Sequence, residues 1–188
     1  MLHNTFCRRL AALVLTLAVA VSAVLPVFAV YPMPIQTATE TEAVYLFNAD
    51  TGKTLLTQNA DQPRYVASLT KMMTALLLLE SGKDLNGEVT VPTDLTQEFK
   101  DIQNANGTTM GLRIGETVRR IDLLNALLIT SANDAASVIA WDVGGSLNAF
   151  IQQMNARAAE LGCTSATFTC AHGLYDYCLL YTSPSPRD

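Results

Sequence analysis

The sequence predicts an α+β fold, on two observations. Residues 43–57 carry a strand–turn–strand pattern. Four helical stretches follow, at 68–80, at 121–129, at 134–143 and from Ser146 onward. Runs of strands followed by runs of helices pack as a sheet covered by helices.

The elements are justified in chain order. Arg8 and Arg9 precede an uncharged stretch over 10–30, and Val27-Phe28-Ala29 puts small residues at a cleavage position. Basic, apolar and small-residue regions in that order make 1–29 an expected signal peptide. A retained membrane anchor is the alternative, because the stretch is nearly long enough to span a bilayer. Pro26 near its end favours cleavage. Cys7 lies ahead of the apolar run and is not placed as a lipoprotein cysteine. Residues 30–42, with Pro32 and Pro34, read as a spacer. Ala43-Val44-Tyr45-Leu46-Phe47 is a strand, Asn48-Ala49-Asp50-Thr51-Gly52 has turn chemistry, and 53–57 returns as a second strand.

The 68–80 helix is apolar nearly all round and is expected to be buried. Ser81-Gly82 ends it. Residues 88–91 form a short strand. Thr93 or Asp94 caps a helical turn before Lys100. Residues 101–109 are polar and loop-like, and 111–117 has glycine at two turn positions. Helices over 121–129 and 134–143 follow, the latter ending at Gly144-Gly145. Ser146 caps the fourth helix, which carries Leu147, Phe150, Ile151, Met154, Ala158 and Leu161 and stops at Gly162. No internal repeat is present. After Asp176 the character changes. Residues 177–188 continue no pattern and read as a non-native tail, with a disordered native tail as the alternative.

The formal charge is −5, and removing 1–29 leaves 10 basic residues against 17 acidic, a balance of −7. No basic patch is visible, which argues against a nucleic-acid partner. Beyond the signal stand Cys163, Cys170 and Cys178, an odd number for an exported chain. A Cys163–Cys170 bridge and two buried thiols both fit. No His, Cys and Asp cluster has metal-ligand spacing, so no metal site is expected.

Two short motifs carry chemistry. Ser68-Leu69-Thr70-Lys71 sets a hydroxyl and an amine at i and i+3, on one face of a helix. A serine hydroxyl is a poor nucleophile until a neighbour takes its proton, and Lys71 stands within reach. Ser131-Ala132-Asn133 supplies a second hydroxyl and a side-chain amide. Ser-x-x-Lys arises often by chance, and the pair of motifs in this order is the stronger signal.

These motifs belong to the signature of penicillin-binding proteins and class A β-lactamases. The string Tyr65-Val66-Ala67-Ser68-Leu69-Thr70-Lys71-Met72-Met73-Thr74-Ala75-Leu76 resembles the D-alanyl-D-alanine carboxypeptidases, the low-molecular-mass penicillin-binding proteins. So do Ser131-Ala132-Asn133-Asp134-Ala135-Ala136, Gly107-Thr108-Thr109-Met110-Gly111-Leu112 and His172-Gly173-Leu174. The resemblance covers 43–176, which it implies is the N-terminal part of a DD-peptidase catalytic domain. It implies the β-lactamase-like α+β fold: an antiparallel sheet flanked by helices, with a mostly helical subdomain. The third motif, Lys-Thr-Gly, is absent, since the sole Lys-Thr pair is Lys53-Thr54, followed by Leu55. The chain is therefore expected to be cut short, with its sheet incomplete.

The resemblance also implies a function: an exported serine carboxypeptidase that removes the terminal D-alanine from peptidoglycan stem peptides. Ser68 is the expected nucleophile. Alone, it reads as a helix N-cap; with Lys71, Ser131 and the family string, it reads as the attacking group. Its backbone N–H is the expected half of an oxyanion hole, whose other half in the family follows Lys-Thr-Gly. Lys71 is the expected general base, and burial is expected to lower its pKa. Ser131 passes the proton to the leaving amine, and Asn133 holds Lys71 and the substrate amide. Capping roles are the alternatives for both. His172 is expected to be a structural loop residue. Asn106-Gly107-Thr108 fits a glycosylation acceptor and reads as a turn. No cofactor is expected. β-Lactams are expected to acylate Ser68, the full-length protein to be membrane-associated, and the location to be the extracytoplasmic face of a bacterial membrane or wall, in service of wall synthesis and cell shape. The rivals are a class A β-lactamase and a non-catalytic wall-binding relative. Ala132 stands where that β-lactamase motif has aspartate, and Thr164 where an asparagine would follow Glu160.

Overall fold

The structure, a computed structural model, describes residues 42–62, 64–163 and 166–174. The expected signal peptide, most of the spacer and the expected tail lie outside the described residues.

Strands β1 (Val44–Asn48) and β2 (Lys53–Gln58) pair antiparallel, as the turn chemistry predicts. Asn48 closes the turn: its Oδ1 accepts from Thr51 N at 2.8 Å and its carbonyl from Gly52 N at 2.9 Å. Gly52 sits at φ +68°, which a side chain would resist. Leu46 faces Leu56 but Phe47 faces Thr54, so Leu55 is an extra residue, bulged outward. Tyr45 and Phe47 stack at 6.4 Å, and no strand residue of the hairpin is buried.

A 3₁₀ turn, Ala67–Leu69, leads into α1 (Thr70–Glu80). The helix is not buried all round. Met72 is 66% exposed and Leu79 54%, while Thr70, Lys71, Thr74, Ala75 and Leu78 are buried. The reason is packing. The buried face meets the helices that follow, and it is the face that carries the polar side chains.

Strand β3 (Glu88–Thr90) pairs with β4 (Thr117–Arg119), a strand the glycine-rich reading of 111–117 misses. Val91 extends the pairing, donating to Glu116 O at 2.8 Å. Between them, a 3₁₀ turn Thr93–Leu95 opens α2 (Thr96–Asn104). The expected loop at 101–109 is thus helical as far as Asn104. Leu95, Phe99 and Ile102 recur at i, i+4 and i+7, and the burial of Leu95 and Ile102 outweighs the polar composition of the last turn. Asn106, at φ +52°, closes that helix: Asn106 N donates to Gln103 O and Gly107 N to Ile102 O. The Asn-Gly-Thr stretch is therefore a helix-ending turn.

Helices α3 (Arg120–Ile129), α4 (Asn133–Gly144) and α5 (Leu147–Glu160) fall where periodicity places them. Ser146 caps α5, its Oγ accepting from Ala149 N at 3.1 Å. Gly162, at φ +82°, ends it. Helix α4 is the centre of the core that the described residues form. Its residues from Asn133 to Ala140 are all buried, and α1, α2, α3 and α5 pack on it. Small side chains at Ala135, Ala136 and Ala140 permit that close approach. Asp142 anchors its far end through a two-pronged bond to Arg120, at 2.7 and 3.0 Å. No helix among the described residues is long and apolar enough to cross a membrane.

Candidate active site

The site forms where three segments converge: the start of α1, the α3–α4 junction, and residues 171–174. The i, i+3 spacing of Ser68 and Lys71 brings Lys71 Nζ to 3.2 Å from Ser68 Oγ. The α3–α4 junction delivers Ser131, whose hydroxyl donates to Ser68 Oγ at 2.9 Å. It also delivers Asn133, whose Oδ1 accepts from Lys71 Nζ at 2.8 Å. The four residues singled out in the sequence thus lie in one hydrogen-bonded group.

None of them caps a helix. The residues at the N-caps of α1 and α4 are Leu69 and Ala132, and neither cap has a side-chain bond. Ser68 instead lies in the 3₁₀ turn, exposed, after Ala67 at φ +44°. Ser131 sits at φ +58°. Left-handed backbone at non-glycine residues is costly and collects at functional sites. Here it turns the two hydroxyls toward each other.

Lys71 is 3% exposed. Its three ammonium hydrogens have three acceptors: Ser68 Oγ, Asn133 Oδ1 and the backbone oxygen of His172 at 2.8 Å. No carboxylate is among them. Removal from water therefore decides its proton affinity, and burial pushes its pKa down from 10.5 to about 8.

Sequence reasoning missed the frame around this group. Asp134, buried, accepts from the backbone N–H groups of Met110, Gly111 and Leu112, each at 3.0 Å, and of Ala135 at 2.9 Å. It pins the 108–112 loop, whose Thr108 oxygen accepts from Asn133 N and Nδ2. Gly107 leaves no room for a side chain: a Cβ there would meet Asn133 Nδ2 and Ile102 Cγ2 at 3.0 Å. Thr74 Oγ1 donates to Ala171 O at 2.6 Å. Gly173, at φ +72°, lies so close to the Ala67 carbonyl that any side chain would collide with it. The acidic residue after Asn133 and the glycines of the quoted strings were visible in the sequence. Their partners were not, because those lie far along the chain.

His172 is the structural residue the sequence suggests. It is 1% exposed, with Nδ1 accepting from Leu174 N at 3.0 Å and Nε2 2.9 Å from Glu98 Oε1. The Cys163–Cys170 bridge is not made. Cys163 is free, while Cys170 is disulfide-bonded. Cys163 follows the α5 stop, where its N–H closes the helix on Ala158 O. Among the described residues no group of three His, Cys, Asp or Glu could hold a metal.

Comparison with known proteins adds the family. The profile of the D-alanyl-D-alanine carboxypeptidases matches residues 31–183. A D-alanyl-D-alanine endopeptidase of Pseudomonas aeruginosa is 33% identical over 160 residues, covering 85% of this chain and 49% of that protein. The D-alanyl-D-alanine carboxypeptidase DacC of Escherichia coli is 35% identical over 141 residues, covering 72% and 34%. The crystal structure of a Streptomyces DD-transpeptidase superposes with a TM-score of 0.66 at 31% identity, covering 76% of this chain and 55% of that one. This chain therefore spans about half or less of the curated relatives named here. With the profile matched over most of its length and a DD-peptidase fold around Ser68, the chain belongs to the D-alanyl-D-alanine carboxypeptidase family.

Proposed function

We propose that the full-length protein is an exported serine D-alanyl-D-alanine carboxypeptidase that removes the terminal D-alanine of peptidoglycan stem peptides. One observation carries the reading: a buried amine with a lowered pKa sits on the exposed Ser68 hydroxyl, which Ser131 touches from another element. In its neutral form Lys71 takes the Ser68 proton as Oγ attacks the D-alanyl-D-alanine carbonyl. Ser131 passes that proton to the leaving amine of D-alanine. Asn133 holds Lys71 and offers its remaining N–H to the substrate amide. Water then hydrolyses the acyl-enzyme: Lys71 takes the water's proton and returns it to Ser68 Oγ as the ester bond breaks. β-Lactams acylate the same serine. On this reading 1–29 is a signal peptide, 30–42 a spacer, 43–176 the N-terminal part of the catalytic domain and 177–188 a non-native tail. The protein works at the extracytoplasmic face, membrane-associated, in wall synthesis and cell shape.

A second reading has its own support. The Pseudomonas aeruginosa relative, similar over 85% of the chain, is named an endopeptidase. The same four residues would then open a D-alanyl bond inside the wall rather than at a peptide end.

The test is covalent labelling of the full-length protein by a fluorescent penicillin, with release of D-alanine from a stem pentapeptide as the second readout. Ser68→Ala should abolish both, a loss on the order of 10⁶ in rate. Undiminished labelling of that variant would remove Ser68 as nucleophile. Labelling without D-alanine release, but with cleavage of cross-linked peptide, would favour the second reading.

A further inference from the structure

We propose that Glu98 is a positioning residue for Lys71, acting through the His172 ring on the segment whose backbone carbonyl the lysine holds. The proposal rests on the reading of Lys71 as the base.

Two of the lysine's acceptors are side chains of the recognised motifs. The third is the oxygen of His172, more than a hundred positions along the chain. A carbonyl is only as well placed as the backbone that carries it, and 171–174 lies outside any helix or strand. Its side-chain anchors are therefore decisive. Thr74 takes Ala171 O, on the lysine's own helix. Cys170 Sγ accepts from Gly173 N at 3.1 Å, and the imidazole supplies a further anchor. Leu174 N–H donates to Nδ1, so the ring hydrogen belongs on Nε2 and is donated to Glu98 Oε1. That same oxygen accepts from Ser137 Oγ at 3.1 Å. Glu98, on α2, thus ties the segment to α4, the helix that carries Asn133. Both ring nitrogens of a buried histidine are committed, and the ring has one orientation.

The consequence for Lys71 is dryness. A cavity of about 180 Å³ borders this pair, lined by Glu98, Ser137, Cys170, Ala171 and His172 among others. Lys71 does not line that space, while Ala171 and His172, whose backbone oxygens accept from Thr74 and Lys71, do. The other titratable groups here are accounted for: Asp134 is committed to four backbone N–H groups, and Cys170 is disulfide-bonded. Removing the Glu98 acceptor frees the ring, lets the carbonyl drift and admits water. Burial is what lowers the proton affinity of Lys71, so hydration raises it.

The experiment is made on the full-length protein and has two readouts. The first is the titration of Lys71 by the NMR shift of its ¹³Cε, assigned by loss of the signal in Lys71→Arg. The second is the rate of Ser68 acylation by a fluorescent penicillin from pH 6 to pH 10. Glu98→Gln keeps an oxygen at the same place without the charge and should behave as the parent in both. Glu98→Ala should titrate about one pH unit higher, with acylation at pH 7 about ten-fold slower and recovering above pH 9. An unchanged Lys71 titration in Glu98→Ala overturns the proposal, even if that variant melts earlier. So does a rise of equal size in Glu98→Gln. If Glu98→Ala does not fold, Glu98→Asp withdraws the carboxylate by one methylene: a smaller rise supports the proposal and no rise overturns it. Failure of the parent to label at Ser68 would defeat the carboxypeptidase reading, while the Lys71 titrations would still decide the role of Glu98.

Discussion

Withdrawal from water, not a neighbouring cation, lowers the proton affinity of Lys71. That cause has a thermodynamic signature. The unfolded chain binds this proton with an ordinary lysine pKa of 10.5, the folded chain with one of about 8. Below pH 8 both states hold the proton, and the cost of burying the charge is present in full. Between pH 8 and 10.5 the unfolded state binds more protons, so stability rises with pH across that window and levels off above it. For a side chain this buried the difference is on the order of 3 kcal/mol. Lys71→Arg should remove this rise, because a guanidinium does not deprotonate there, and it should also abolish acylation. Chemical denaturation of both proteins at either end of that pH window checks it; an equal rise in the Arg variant would assign the dependence to other groups. Ser68 and Lys71 were legible in the sequence because three-residue spacing on a helix is a local fact. The desolvation of Lys71 was legible only in direction, since α4 and residues 171–174 create it and the sequence does not show them meeting.

Local signals placed most elements, and they failed where tertiary packing outweighs them. Helix α5 was readable from its serine cap, its apolar rhythm and its glycine stop. Strand β4 was not, because Thr117-Val118-Arg119 is three residues long and exists by pairing with Glu88-Val89-Thr90. The last turn of α2 reads as loop by composition and is helical because Ile102 is fully buried. The loop after it is held from outside, by Asp134 at the start of α4. Removing that carboxylate leaves three loop N–H groups without their acceptor. Asp134→Ala should therefore cost about 2–4 kcal/mol, and Asp134→Asn less, since its one carbonyl still accepts. Hydrogen exchange should localise the effect: Met110, Gly111 and Leu112 amides lose protection while those of α5 keep theirs. Uniform loss across all helices would mean that Asp134 supports the whole fold rather than this loop.

At the scale of the molecule, the described residues place one hydrophobic core on α4 and leave several large apolar side chains outside it. Leu55, Tyr65, Leu69, Met72, Leu128 and Ile129 are each more than half exposed. Scattered exposed apolar residues are ordinary, but Leu69 lies between Ser68 and Lys71, Met72 follows Lys71, and Leu128 and Ile129 closely precede Ser131. The β1–β2 hairpin buries none of its strand residues, and two-stranded hairpins are marginal in water. The sequence also holds no Lys-Thr-Gly, the third motif of the catalytic signature. The 188 residues expressed by themselves should therefore bind a hydrophobic dye such as ANS, unfold over a broad range and show no covalent labelling by penicillin. The group of Ser68, Lys71, Ser131 and Asn133 is present, but that third motif is not. A cooperative melt without dye binding, together with one penicillin bound per chain at Ser68, would mean that Ser68, Lys71, Ser131 and Asn133 suffice for acylation and that the exposed apolar side chains need no cover.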